Sequence, residues 1–160
     1  IESEHGPMGG DEVNLIDVKM INKDKPLNYG WAISSAGEHY GGRIEKNVIK
    51  YEKYPLYKSH SKHGFIEPLK SFVPSIGISE VRKIKDKSYV VGSLGHDRPG
   101  DKSLYFFDLD DQNKMKNLKQ VQVYERIRDL NIHKNKLYML LEGPQTAFKW
   151  SPSIGVIPLD

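Results

Sequence analysis

Two arginines, Arg126 and Arg128, stand one residue apart in the stretch RIRDLNI, which otherwise reads as a buried strand. Strand alternation puts both side chains on one side and Ile127 on the other. Charged groups seldom line one face of a core strand without a partner. Three partners fit: a structural carboxylate across the sheet, a bound anionic ligand, or solvent at an edge strand. Arginine grips carboxylates through paired bonds and stays charged when desolvated, so an anionic small ligand is chemically apt.

A second candidate is HGPMGGDE, His5 to Glu12, which gathers glycines and one proline around two carboxylates. Such a turn can aim backbone carbonyls inward, and carbonyl and carboxylate oxygens are calcium ligands. The competing reading is an acidic surface turn. Asn28 to Trp31, NYGW, sets an aromatic pair around a glycine, as either a packed turn or a site. None of His5, His39, His60, His63, His96 and His133 falls at zinc-like spacing on a helix, and His60 and His63 lie in a polar loop. His96 sits just past a strand end beside Asp97 and Arg98, in a loop position where function is often carried. With no cysteine, thiolate metal sites, disulfides and cysteine catalysis are excluded. No Gly-x-Ser-x-Gly elbow, phosphate loop or dinucleotide fingerprint occurs, which removes support for a hydrolase triad or a nucleotide enzyme.

The elements that must position these residues are strands. A chain of 160 residues, 38% hydrophobic and 28% charged, can bury one real core. No apolar run approaches the ~20 residues a membrane span needs. The formal charge of +3 comes from scattered basic residues, so neither a nucleic-acid partner nor a membrane span is expected. Helical periodicity is nearly absent. Short β-branched or aromatic runs bounded by Gly, Pro, Asn and Asp predict strands at Val13–Val18, Trp31–Ser34, Ile78–Ile84, Ser88–Leu94, Ser103–Leu109, Lys119–Tyr124, Ile127–His133, Lys136–Leu141 and Phe148–Ser151. A Gly-rich bend (Gly37, Gly41, Gly42) and a polar, aromatic-studded loop, Lys46 to Lys70, fall between them.

An internal repeat sharpens the pattern. At an offset of 49 residues, Ile78-Ser-Glu-Val81 falls on Ile127-Arg-Asp-Leu130, and Lys85-Asp-Lys-Ser-Tyr89-Val-Val91 falls on Lys134-Asn-Lys-Leu-Tyr138-Met-Leu140. A period of ~40–50 residues with about four strands per unit is the mark of propeller blades. The chain therefore reads as all-β, a partial β-propeller of about three blades of four-stranded antiparallel sheet. Its opening at Ile1, on a turn that feeds a strand, is expected of a piece of something longer. Ile78-Ser-Glu-Val81 in the earlier copy carries no arginine, so the pair is an addition at one blade rather than part of the template, which favours an anionic ligand.

Taken in order, these segments resemble the soluble quinoprotein sugar dehydrogenases of the glucose/sorbosone dehydrogenase family. The family runs through an HGP-x-GGDE turn, NYGWP, a Gly-x-x-Tyr bend, WxPS, a strand ending in SLK, RIRDV and a final LY-x-LTDE hairpin. The counterparts here are His5 to Glu12, Asn28 to Trp31, Gly37-Glu-His-Tyr40, Phe72-Val-Pro-Ser75, Gly92-Ser-Leu94, Arg126-Ile-Arg-Asp129 and Leu137 to Glu142. The resemblance implies a six-bladed propeller of which residues 1–160 are the C-terminal half of a single domain, the N-terminal half being absent. It implies pyrroloquinoline quinone, a tricarboxylic quinone, lying on calcium. The carbonyls of Gly6 and Pro7 would ligate that calcium, and Glu12 with the carbonyl of Tyr29 would hold a second, structural one. Tyr40 would line the cofactor pocket, Ser93-Leu94-Gly95 would stand at its cofactor-binding strand end, and Arg126 and Arg128 would clamp cofactor carboxylates.

The same resemblance implies a calcium- and quinone-dependent oxidoreductase that oxidises a sugar or polyol hydroxyl and hands electrons to an acceptor. Its catalytic histidine is expected in the absent half, which would leave this piece inactive by itself. A periplasmic or secreted location is expected by family analogy. Departures are clear too. The family's cofactor-binding lysine is Gly95 here, followed by an inserted loop, His96 to Ser103, in which Arg98 and Lys102 are the candidate replacements. Ala32 stands where a proline usually follows NYGW, and Asp17 to Leu27 looks expanded. These departures favour the alternative, a non-catalytic propeller that binds a protein or carbohydrate partner.

Overall fold

The computed structural model describes residues 1–6, 9–22, 24–31, 33–37, 59–95, 101–143 and 151–159. Its elements are β1 (Glu2–Glu4), β2 (Asp11–Asn14), β3 (Lys70–Phe72), β4 (Ile78–Lys85), β5 (Ser88–Ser93), β6 (Ser103–Leu109), β7 (Met115–Gln122), β8 (Ile127–His133), β9 (Lys136–Leu141) and β10 (Ser153–Pro158). Two single 3-10 turns, Val18–Met20 and Ser61–His63, are the only helical pieces among the described residues. The protein is all-β, and no helix there is long and apolar enough to cross a membrane. Every sheet is antiparallel, with three, four and three strands, as expected of blade-like units in a partial propeller.

The chain divides into two compact units, Ile1–Ser75 and Ile76–Asp160. In the first, β2 lies between β1 and β3, pairing Glu4 with Glu12 and Asp11 with Phe72. All four residues of β2, Asp-Glu-Val-Asn, are buried although three are polar. Strand propensity does not explain that placement, because Asp and Asn are poor strand formers. The turn before β2 fixes it. Gly10 N–H donates to the Phe72 carbonyl at 2.8 Å, Gly6 N–H donates to Asp11 Oδ1 at 3.0 Å, and a side chain on Gly6 would collide with the Gly10 carbonyl.

The second unit holds the main apolar core. A meander, β4-β5-β6-β7, faces a second meander, β8-β9-β10. Val90 and Leu104 from one sheet meet Ile127, Leu130, Leu137, Met139 and Leu141 from the other. Alternation along β5, β6, β8 and β9 supplies this face. Arg82 on β4 pins the sheets together, its Nε donating to the Leu130 carbonyl at 2.7 Å while its guanidinium also reaches Glu80 and, at 3.6 Å, Asp129.

The repeat is structural. Both hairpins carry an irregularity at the same offset, between Ile78 and Val81 in β4 and between Ile127 and Asp129 in β8, each leaving one extra residue on its strand. Strands at Ser103–Leu109, Ile127–His133 and Lys136–Leu141 match expectation, and β4 and β5 differ from it by one residue.

Other strand expectations are corrected. The expected Val13–Val18 strand stops at Asn14, because Asp17 caps a 3-10 turn by accepting from Lys19 N–H at 2.9 Å. Trp31–Ser34 is a turn, since Ile33 and Ser34 N–H both donate back to the Gly30 carbonyl. Lys119–Tyr124 is displaced: β7 begins at Met115 and ends at Gln122, and Tyr124 beyond its end adopts a left-handed φ of 72°. Phe148 to Trp150 lie outside the described residues, and Ser151 precedes the final strand, Ser153–Pro158. β1, β3 and β10 were not expected.

Candidate functional site

The first unit builds an oxygen-rich cluster on β2. Glu12 is buried on β2, paired across from Glu4 of the acidic strand β1, with Asn14 one alternation further along. Asn14 Nδ2 donates to Glu12 Oε2 at 3.5 Å, and His60 Nε2 lies 3.3 Å from Glu12 Oε1. Burial, reinforced by the negative charges of Glu4, Glu2 and Glu67, pushes the Glu12 carboxyl up to about 7 despite the Asn14 bond. Glu67 is the opposite case. The Ser61 backbone N–H (2.8 Å) and the hydroxyls of Ser61 and Ser59 hold it below the ordinary carboxylate range. Glu67 Oε2 also reaches His60 Nδ1 at 3.5 Å, so the imidazole lies between two carboxylates.

Two atoms here are buried without a hydrogen-bond partner, Asn14 Oδ1 and His60 Nε2. Calcium takes six to eight oxygens, many from backbone carbonyls. A buried carboxylate, an orphaned amide oxygen and surrounding negative charge suit a hard cation, so Glu12 fits the second-calcium role. Among the described residues no group of three or more His, Cys, Asp or Glu side chains is arranged to hold a metal. Tyr29 sits in the same unit, its hydroxyl donating to the Leu15 carbonyl at 2.8 Å, and burial together with Glu2 and Asp17 raises its pKa. Gly6 is in the turn described above. Pro7 and Tyr40 lie outside the described residues.

The second unit builds a guanidinium cluster. Both arginines reach one oxygen, Glu142 Oε2: Arg128 donates from Nε at 2.6 Å with Nη2 at 2.5 Å, and Arg126 Nε stands at 3.7 Å. Arg126 precedes β8 and Arg128 is the extra residue at its irregularity, so their shared approach to Glu142 comes from the bulge rather than from regular alternation. Glu142 is held in register by its N–H donating to the Arg126 carbonyl at 3.0 Å, and its side chain is only 7% exposed. Arg126 Nε is buried without a hydrogen-bond acceptor, and Oε2 of the neighbouring Glu125 is buried without a donor.

Ser93, Leu94 and Gly95 close the base of the loop that departs from the family pattern. Ser93 Oγ contacts the carbonyls of Asp101 (2.6 Å) and Ser103 (3.0 Å) and accepts from Ser103 N–H at 2.9 Å. Leu94 and Gly95 N–H donate to the carbonyls of Gly77 and Ile76. Gly95 is left-handed at φ +62°, and a Cβ there would meet Lys102 Cγ at 2.8 Å and the Asp101 carbonyl carbon at 2.9 Å. A lysine at position 95 has no room in this backbone. The Lys102 stem runs across the space instead. Arg98, the other candidate cation, lies outside the described residues.

Sequence reasoning missed His60, Asn14 and Glu142 as members of these clusters. Glu142 carried a signal, as an acidic residue ending a strand in a hairpin with the arginines. His60 carried none, because burial of a loop histidine depends on contacts far along the chain.

Antiparallel meanders of three to four strands with almost no helix are consistent with a partial propeller. Residues 1–149 match the family Glucose / Sorbosone dehydrogenase, and the chain belongs to that family. It is also 25% identical over 130 residues to an uncharacterized protein of Synechocystis sp. (strain ATCC 27184 / PCC 6803 / Kazusa), covering 80% of this chain and 27% of that relative. The chain thus spans about a quarter of the relative's length. No solved structure matches.

Proposed function

We propose that this chain is the part of a quinoprotein sugar dehydrogenase that supplies the anion-binding arginines and the calcium ligands. The full-length protein would oxidise a sugar or polyol hydroxyl and pass electrons to an acceptor. Bound pyrroloquinoline quinone would supply the hydride-accepting chemistry. The work of this chain's own residues is electrostatic. Arg126 and Arg128 place positive charge where a cofactor carboxylate would lie. The carbonyls of Gly6 and Pro7 would offer oxygens to the cofactor's calcium, and Glu12, the Asn14 amide oxygen and the Tyr29 carbonyl to a second, structural one, with Tyr40 and the Ser93-Leu94-Gly95 strand end as the further cofactor-binding positions the family implies. Lys102, whose stem crosses Gly95, takes the place of the family's lysine. The catalytic base comes from the N-terminal half of the propeller, the partner this piece requires, and family analogy puts the protein in the periplasm or outside the cell.

The observation that carries the reading is the buried, acceptor-free Nε of Arg126 beside a second arginine in a chain of this family. To test it, the full-length protein is reconstituted with calcium and pyrroloquinoline quinone and assayed for dye reduction against a sugar panel. Reduction with at least one sugar, together with stabilisation by the quinone, is expected. Absence of both contradicts it.

Gly95 favours a second reading, a non-catalytic propeller of the same family that binds a protein or carbohydrate, because its backbone excludes the family's lysine. Carbohydrate binding without quinone-dependent dye reduction would select that reading.

A further inference from the structure

We propose that the second unit carries a binding site for a neutral saccharide, at the end of its two meanders opposite the arginine cluster. A cavity of about 450 Å³ opens there between the β4-β5-β6-β7 sheet and the end of β10, a size usual for small-molecule sites. Register sets Ser88 against Asp108 at one end of β5 and β6, whereas Ser93 and Ser103 lie at the other. Ile157 faces Leu137 near the start of β9, away from Leu141 and Glu142. The cavity is therefore a separate place from the one that holds Arg126 and Arg128.

Its walls combine two kinds of surface. Half-buried Phe106, Ile157 and Leu159, packed against the main core, supply an apolar wall. Asp108, Asn117, Lys119 and Lys85 supply the polar groups. Asp108 is the fixed one among them, because the Ser88 hydroxyl donates to its Oδ1 at 2.6 Å. On the other side, β7 carries one extra residue between the Phe106–Lys119 and Asp108–Lys116 pairs. There Asn117, at a φ of 53°, turns its amide onto Asp108 Oδ2 at 3.0 Å. Bulges commonly re-aim a side chain in this way. Each Asp108 oxygen thus has one donor and keeps a lone-pair site for another. The Ser88 and Asn117 bonds also hold the carboxyl below the ordinary range, so it is ionised at neutral pH. The combination selects by charge and shape. An anion would lie against the fixed carboxylate, a cation would face Lys85 and Lys119, and a wholly apolar ligand would desolvate all three charges without partners. A neutral ring of hydroxyls satisfies every group. Its hydroxyls donate to Asp108 and accept from Lys119 and the Asn117 amide, while its C–H face covers Phe106.

Methyl NMR of the full-length protein, free of quinone, tests the site with maltose and glucose. Saturable shifts are expected at the methyls of Ile84 and Ile157, which line the cavity, and none at Ile127, at the arginine end of β8. Asp108→Asn weakens maltose binding about tenfold, the scale of a hydrogen bond to a charged acceptor. Lys119→Gln, a change at an exposed position, weakens it by less. Glucose 6-phosphate binds more weakly than glucose, because its phosphate meets Asp108. The proposal is overturned if the Ile84 and Ile157 methyls stay still up to about 10 mM maltose, or if Ile127 moves as far as they do. It is equally overturned if either variant binds like wild type, or if glucose 6-phosphate binds more tightly than glucose. Quinone uptake is read in its own titration, so a failure of the quinoprotein reading and a failure of this site are told apart.

Discussion

The hairpins β4-β5 and β8-β9 share a template but not a chemistry. Offset by 49 residues, they place a bulge-like irregularity at Ile78 and at Ile127, and both isoleucines are fully buried. At matching positions the first hairpin has Gly77, Ser79 and Ser93, and the second has Arg126, Arg128 and Glu142. Ser93 ties down a loop through backbone partners, whereas Glu142 ties down a guanidinium. The irregularity therefore forms without arginines at these positions: in the first hairpin it spans Ser79 and Glu80. The charged triad is an addition made at a position the template had already opened, which is where bulges commonly re-aim side chains. A second contrast lies one register step from each turn. Ser88 faces Asp108 in the first sheet, and Leu137 faces Ile157 in the second.

The largest test of this contrast puts the second hairpin's acid into the first. Ser93→Glu would bury a carboxylate against two carbonyls with no arginine paired to that position among the described residues, costing about 3–5 kcal/mol, as read from denaturant unfolding. A near-neutral result would mean that the two positions are interchangeable and that the arginines are not what makes Glu142 tolerable. Next, Ile78→Ala and Ile127→Ala should each cost about 3 kcal/mol, because both remove a fully buried side chain at the bulge. A loss at one site twice that at the other breaks the shared template.

The turns differ more gently. Lys134 and Asn135 both have positive φ, as a two-residue type I′ hairpin demands, whereas only Lys87 does in the first hairpin. Lys134→Asn should stabilise by about 0.5 kcal/mol, since Asn tolerates the left-handed region better than Lys. Asp86→Asn, at a position without positive φ, should give no gain in the same melting experiment.

The smallest effect concerns Asp108. The Ser88 hydroxyl first, then the Asn117 amide, hold its carboxyl below the ordinary range. A depressed carboxylate contributes stability that is present above its unfolded value of 3.8 and is lost as pH falls through the folded value. Ser88→Ala should therefore raise the Asp108 pKa, followed by carboxyl NMR, and reduce the acid-side slope of stability below that value. An unmoved Asp108 would show that the Ser88–Asp108 pair is not the polar counterpart of Leu137–Ile157.

What could be read in advance follows from how locally each feature is determined. Alternating apolar residues specified β6, β8 and β9 to the residue, and the Lys/Asp/Asn turns fixed their hairpins. β2 resisted such reading because its polar Asp-Glu-Val-Asn is driven inward by the glycine turn and by pairing with β1 and the distant β3. β1 and β3 are three residues each, too short for periodicity to register. At the arginines, both turn to one carboxylate, but a bulge at Arg128 rather than regular alternation brings them there, and the acid follows the end of the next strand. The lysine missing at Gly95 was visible as a substitution. Its left-handed backbone, crossed by Lys102, was not.

The most direct test of the account is a calorimetric titration of pyrroloquinoline quinone into the calcium-loaded full-length protein, wild type beside Arg126→Gln. Saturable binding by wild type, weakened at least tenfold in the variant, is the predicted result. Equal binding by both proteins, or none by either, would contradict a carboxylate-binding role for the arginine cluster.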